Sequence, residues 1–303
     1  MDLGMIGLGR MGGNMSERLL RSGHRVVGFD RGAESVASAK RRGVETVDSL
    51  AALVRALPPP RALWMMVPAG AAVDETIDAL LPMLASDDVL IDGGNSNYKD
   101  SQRRAQQVAS QRIHYVDAGT SGGVWGLKEG YSLMVGGDAT AIERLRPILS
   151  ALAPSPDRGW GRVGGPGAGH FAKMIHNGIE YGMMQAFAEG FAIMDKKREL
   201  GLDLAQVAEV WRFGSVVRSW LLDLTAAALA NDATLGDVAA YVADSGEGRW
   251  TVQEAIDLGV SAPVITESLL RRLRSRESAP YADRLLAVMR QAFGGHAVHT
   301  REA

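Results

Sequence analysis

Short apolar runs, each the length of a buried strand, recur through the first half of the chain. They fall at 3–6, 26–29, 63–67, 89–92, 114–117 and 133–135. Stretches of helical periodicity lie between them, around 11–22, 33–42, 49–56, 72–84 and 99–110. Strand alternating with helix predicts a doubly wound parallel sheet. Pro58, Pro59 and Pro60 read as a loop ahead of a strand, not as a domain boundary. The second half has a different texture. No proline occurs between Pro166 and Pro263, and Ala, Leu, Met, Glu and Arg, all good helix formers, dominate. The expectation is an α/β domain over 1–163 followed by an all-helical domain over 164–303, divided in the Gly/Pro cluster at 159–169.

The first strand runs into Gly7-Leu8-Gly9-Arg10-Met11-Gly12, and a helix follows. This is Gly-x-Gly-x-x-Gly in its required strand–turn–helix setting. Gly7 permits the tight turn, Gly9 lets backbone approach a pyrophosphate at the helix N-terminus, and Gly12 lets helix and strand pack closely. Glycine clusters by themselves are usually turns. Here Asp30 ends the second strand about 20 residues on, where a carboxylate can hold the adenosine ribose hydroxyls. Together these predict a Rossmann-like nucleotide site. Asp30 repels a 2′-phosphate and favours NAD; Arg31 can stack on adenine or pair with that phosphate, which leaves NADP open.

A second constellation opens the helical half. Read as a helix, 167–185 places Lys173, His176, Asn177, Glu180 and Tyr181 at i, i+3, i+4, i+7 and i+8. That spacing normally carries the apolar stripe of a core-facing helix. Met174, Ile175 and Ile179 can pack behind it. Five polar side chains backed by apolar ones look like the wall of a small-molecule site. The alternative is a solvated face, but such faces are usually Lys/Glu/Gln/Arg mixtures and rarely combine His, Asn and Tyr.

Bulk properties narrow the classes. A length of 303 residues suggests about two domains, and a net charge of -2 gives no basic surface for nucleic acid or an anionic membrane. There is no cysteine, which excludes disulfides and thiolate zinc sites and fits a reducing compartment. The six histidines form no cluster at metal-ligand spacing, so no metal is expected. With no signal-like or membrane-spanning segment ahead of the first strand, a cytoplasmic location is expected.

At this point the motifs resemble a known family. GLGRMGGNM at 7–15, DGGNSNYKDSQRR at 92–104, SGG at 121–123, GHFAKMIHNGIEYG at 169–182, GEGRWTVQEAIDLG at 246–259 and RQAFGGH at 290–296 resemble decarboxylating 6-phosphogluconate dehydrogenases, in their short bacterial form. The resemblance spans nearly the whole chain. The broader β-hydroxyacid dehydrogenases share the fingerprint and the lysine but generally lack the glutamate seven residues later.

The resemblance implies roles. Lys173 is the general base on the substrate C3 hydroxyl while hydride leaves C3 for the nicotinamide, which requires a lysine whose pKa is lowered by burial or a cationic neighbour. The resulting β-keto acid loses carbon dioxide as protonated Lys173 supports the ketone oxygen, and Glu180 protonates the enediol at the product's C1. Asn177 shares the catalytic face. Val67, Pro68 and Ala69 match a cofactor-contacting loop, although Pro68 departs from the family's usual lysine. Asn95 matches a residue near both nicotinamide and substrate; Gly-Gly-Asn is also ordinary turn chemistry. Ser121, Gly122 and Gly123 match a loop for the substrate carboxylate, or form only a turn. His176, Asn177 and Tyr181 match hydroxyl, carboxylate or phosphate contacts. Arg272 matches a phosphate partner, or belongs to a basic surface with Arg271, Arg274 and Arg276. Arg290 and His296 match a tail that completes a neighbouring subunit's site, or a frayed end. Ser245 stands where many long-form enzymes carry a phosphate-binding lysine, so a related, non-phosphorylated sugar acid stays open.

The expected reaction is therefore oxidation and decarboxylation of 6-phospho-D-gluconate with NAD(P), in a homodimer or homotetramer. The alternatives are a β-hydroxyacid dehydrogenase that stops after hydride transfer and a catalytically silent nucleotide-sensing or scaffolding protein.

Overall fold

The computed structural model describes residues 1–278, 280–294 and 297–299. They fall into two compact units, Met1–Asn177 and Gly178–Ala303.

The first unit is built on one eight-stranded sheet: β1 (Asp2–Ile6), β2 (Arg25–Phe29), β3 (Glu45–Thr46), β4 (Ala62–Met65), β5 (Val89–Asp92), β6 (His114–Ser121), β7 (Ser132–Gly137) and β8 (Trp160–Gly164). Their spatial order is β3-β2-β1-β4-β5-β6-β7-β8. The helices α1 (Arg10–Arg21), α2 (Ala33–Arg41), α3 (Leu50–Arg55), α4 (Ala71–Leu80) and α5 (Tyr98–Ala109) each follow one of the first five strands. The short helices α6 (Gly126–Glu129), α7 (Ala139–Arg144) and α8 (Arg146–Leu152) lie between β6 and β8. Successive side chains of a strand point to opposite faces. Accordingly Leu3, Met5 and Trp64 enter one core, while Ile6, Leu63 and Met65 enter another. Each large apolar side chain buried this way contributes about 1.5–3 kcal/mol. Because β1 pairs with both β2 and β4, the chain reverses its winding direction there. That switch point is where open α/β sheets bind ligands, at the carboxyl ends of the strands.

The Rossmann-like sheet matches the expectation, with three differences. β7 runs antiparallel to β6, joined to it by residues 122–131, which carry α6. The Gly/Pro cluster read as a boundary loop contributes β8, an edge strand whose residues are half-buried or exposed and so carry no apolar run. The two-residue β3 and the helices α6 to α8 are too short to show a period.

In the second unit the described residues form helices without strands, as its helix-forming composition predicts. The 29-residue α9 (Ala168–Lys196) carries the chain from the first unit into it. There follow α10 (Leu204–Arg212), α11 (Trp220–Asn231), α12 (Glu247–Asp257), α13 (Pro263–Arg274) and α14 (Tyr281–Gly294). Phe191, Ala208, Leu222, Ala226 and Leu229 form its small core, and Trp211 meets Phe191 edge-on at 5.8 Å. Among the described residues, no helix is long and apolar enough to cross a membrane.

Candidate active site

The fingerprint loop sits at the switch point with the geometry its glycines require. Gly7 has φ +93°, and a Cβ there would lie 2.3 Å from the Met66 carbonyl oxygen. A Cβ on Gly12 would lie 1.9 Å from the Gly7 carbonyl oxygen, so α1 is drawn tightly onto the loop. Gly9 faces open space and caps α1, whose first turn holds no acidic residue. The combination favours an anion. Asp30 closes the loop: its carboxylate accepts from the amides of Leu8 and Gly32, each at 2.6 Å. A carboxylate has about four acceptor positions, so room is left for a ribose hydroxyl.

A cavity of about 310 Å³ is lined by Gly7, Gly9, Asp30, Arg31, Val67 and Pro68, with Met66 and Thr76 among its other walls. It brings six of the cofactor candidates together. Leu8 is buried and spends its amide on Asp30, while Gly12 is buried behind the turn. Arg10 and Ala69 are exposed, and Met11 is half-buried. Arg31 reaches Glu75 at 3.9 Å and is largely exposed.

Asn95 lies beyond β5 with φ +52°. Its side-chain amide donates to the Thr120 carbonyl at 3.1 Å and accepts from the Thr120 amide at 2.8 Å. The side chain thus pairs like a strand and ties this loop to β6. Ser121 ends β6, and Gly122 and Gly123 follow with φ +124° and +49°.

The first turns of α9 are seated directly on the sheet. A Cβ on Gly119 would meet the Gly169 carbonyl and Lys173 Cβ at 2.5 Å each. Asp117, wholly buried, accepts from the Gly167 amide at 2.7 Å and the His170 amide at 2.8 Å, capping the helix. Lys173 is buried in consequence. Its amine donates to Asn177 Oδ1 and lies 3.4 Å from His176 Nδ1, and His176 Nδ1 lies 3.0 Å from Asn177 Oδ1. Lysine, histidine and asparagine therefore form one contiguous polar group.

Farther along α9, within the helical unit, Glu180 is half-buried and Tyr181 is buried. The Arg272 guanidinium stacks 3.3 Å from the centre of the Tyr181 ring, a cation–π contact. The Tyr181 hydroxyl is 3.3 Å from Ser245 Oγ, and Arg272 donates to the Ala243 carbonyl at 3.2 Å. Tyr181, Ser245 and Arg272 are thus neighbours. Arg249, one turn into α12, is held at 2.5 Å by Asp244, which Arg276 also approaches at 3.9 Å. Arg290 is exposed on α14 and makes no bond to this cluster among the described residues. His296 lies outside the described residues.

Several supporting groups escaped the motif reading. Asp92, at the end of β5, is wholly buried and accepts from Gly94, Ser96 and Tyr115. Burial pushes the Tyr115 phenol well above its ordinary range, with Asp92 adding to the effect. Arg104 is also wholly buried. Asp92 opens the 92–104 motif without a role being read for it, and for Asp117 the one signal in the sequence is an acidic residue ending an apolar run.

A glycine turn at a sheet's switch point, joined to a lysine seated beneath a helix cap, defines a dinucleotide-dependent oxidoreductase. Comparison with known proteins narrows the class. The family model described as the NAD binding domain of 6-phosphogluconate dehydrogenase matches residues 2–161, and that of the 6-phosphogluconate dehydrogenase C-terminal domain matches 169–289. The chain belongs to the 6-phosphogluconate dehydrogenase family. It is 47% identical over 303 residues, the whole of both chains, to an NAD(+)-dependent, decarboxylating 6-phosphogluconate dehydrogenase of Haloferax volcanii. It is 40% identical to an NADP(+)-dependent one of Bacillus subtilis, covering 90% of this chain and 61% of that protein. The structure of the Plasmodium falciparum 6-phosphogluconate dehydrogenase superposes with a TM-score of 0.85 at 30% identity, over 100% of this chain and 67% of that one.

Proposed function

We propose that this chain oxidises and decarboxylates 6-phospho-D-gluconate to D-ribulose 5-phosphate and carbon dioxide, with NAD as the preferred acceptor and NADP as the lesser one. The observation that carries the reading is the buried Lys173 amine, in contact with His176 and Asn177 and two turns before Glu180 on the same helix. Two turns separate the acid from the amine by roughly 10 Å along the axis, so each serves a different carbon of one extended sugar acid.

The bound dinucleotide supplies the hydride acceptor. Gly7, Gly9 and Gly12 shape the turn for its pyrophosphate, Asp30 takes the ribose hydroxyls, and Val67, Pro68, Ala69 and Asn95 border the nicotinamide end. Leu8, Arg10, Met11 and Arg31 complete its surroundings. Lys173 takes the proton of the C3 hydroxyl, then returns it to the ketone oxygen as the C1 carboxylate leaves. Glu180 delivers a proton to the carbon left behind, the substrate's C2. Asn177 orients the lysine. Ser121, Gly122 and Gly123 hold the carboxylate before it departs; His176 and Asn95 bind hydroxyls. Tyr181 and Arg272 take the phosphate, with Ser245 contributing a hydroxyl where a lysine is usual, and Arg290 and His296 come from a second copy.

The same proposal assigns 1–163 to dinucleotide binding and 164–303 to substrate binding and homo-oligomerisation. The end-to-end NAD-dependent relative supports the cofactor preference, as does Asp30 at the ribose position.

The test uses 6-phosphogluconate labelled at C1. Release of the label as carbon dioxide is expected. Retention in the product makes the chain a dehydrogenase that stops at the keto acid. Glu180→Gln is expected to leave the KM for substrate within twofold and lower kcat by about 10²–10⁴.

A further inference from the structure

The face of α5 formed by Tyr98, Ser101 and Arg104 touches the start of α9 and the ends of two loops, 67–70 and 92–95, that the proposed reaction uses. These residues stand at i, i+3 and i+6, so they share one side of the helix.

At one end Tyr98 packs edge-on against Phe171 of α9, with ring centres 5.1 Å apart. A Cβ on Gly167 would lie 2.8 Å from Gln102 Cγ and 3.0 Å from the Tyr98 carbonyl oxygen, so α9 begins in close contact with α5. In the middle, Ser101 Oγ lies 2.7 Å from His170 Nδ1, and both residues are buried. His170 Nε2 is buried with no hydrogen-bond partner, so Ser101 is the ring's one polar anchor among the described residues. Lys173 stands one turn further along α9. At the other end, the buried Arg104 binds three groups. It meets Asp74 at 2.8 Å, the Gly70 carbonyl at 3.0 Å and Asp92 at 3.4 Å. Gly70 ends the 67–70 loop, and Asp92 begins the loop that carries Asn95.

We propose that this face of α5 is a positioning strut: the Ser101–His170 pair sets the register of the Lys173 helix, and Arg104 sets that of the two loops at the nicotinamide end. The proposal rests on the functional reading above for its consequence in catalysis, though not for the mechanical link itself. The physical reason is the tolerance of hydride transfer. Donor, acceptor and base must be held together closely, and a displacement of about 1 Å can cost two orders of magnitude in rate. None of the three α5 residues is assigned to touch substrate or cofactor.

The test is a double-mutant cycle with Ser101→Ala, His170→Phe and the pair combined. In each single variant kcat is expected to fall about tenfold, KM for both substrates to stay within twofold, and the primary isotope effect with C3-deuterated substrate to rise. The pair is expected to do no worse than either alone, since both remove one link. Amide exchange over 168–173, read without substrate, is expected to quicken in both variants. Unchanged exchange over 168–173 overturns the strut whatever the activity. So does a lowered melting temperature with unchanged kcat and isotope effect, which marks a merely structural pair. A wild-type protein inert toward 6-phosphogluconate sinks the functional reading, and the exchange data then decide the strut alone.

Discussion

The two units of the molecule treat their apolar side chains in opposite ways. The sheet unit buries its large apolar side chains on both faces and leaves few exposed, such as Val124, Trp125 and Val163. It also buries charge, and hydrogen-bonds it: Asp92 and Arg104 are wholly covered and meet at 3.4 Å, and Arg104 also holds Asp74. The helical unit has a small core and a wide apolar exterior. Phe213 is 69% exposed, Val216 101% and Ile193 71%, and Met184 and Leu224 line an apolar groove of about 610 Å³. Isolated exposed apolar residues are ordinary; a contiguous series of them marks an interaction surface. The exposed apolar residues of the helical unit fit the homo-oligomer of the proposed function.

Four experiments would break or sharpen that contrast. The largest effect is expected at the buried lysine of the sheet unit. Lys173→Met should lower kcat by at least about a thousandfold while titration calorimetry still detects cofactor binding; a loss under tenfold would remove the lysine from the chemistry. Next is the exposed face of the helical unit. Phe213→Asp combined with Val216→Asp should yield smaller particles in sedimentation velocity, with the sheet unit still folded by circular dichroism. An unchanged sedimentation coefficient would clear this face of any role in assembly.

A smaller effect tests the paired charges. The Arg104 guanidinium, with Arg103, holds the Asp74 carboxyl below the usual carboxylate range. A carboxyl depressed on folding contributes stability that is complete above its unfolded value of about 4 and disappears as pH falls through the folded value. Asp74→Asn should therefore melt a few degrees below wild type at pH 7, and the gap should narrow below about pH 4. A gap that is constant with pH would assign the loss to packing. The smallest effect is expected at the surface. Arg31→Ala should alter NAD affinity less than twofold, because Arg31 is largely exposed and its ion pair with Glu75 is long. A large drop with NADP alone would give Arg31 the 2′-phosphate.

Much of this organisation was legible before any coordinates. The glycine turn, Asp30 and the polar face from Lys173 to Tyr181 rest on local spacing, and α1 and α9 form around them as expected. What stayed hidden depends on neighbours distant in the chain. Asn95 reads as a site residue or a turn, and its side-chain amide also ties to Thr120, 25 residues away. Arg104 stands in the 92–104 motif with no role read from the sequence, yet it is wholly buried and held by Asp74, Asp92 and Gly70. Ser245 reads as a lost cation, whereas its hydroxyl is beside Tyr181.

The sequence by itself determined six of the eight strands and the five helices α1 to α5 among them, the dinucleotide turn and the one helix that carries amine and acid together, since each depends on periods of a few residues. The tertiary structure alone decided that β7 runs against β6, that Asp117 caps α9 from 50 residues away, and that Ser101 meets His170 across 69. Hydrogen bonding and close packing act over a few ångströms in space, and no local pattern encodes which distant residue will fill that distance.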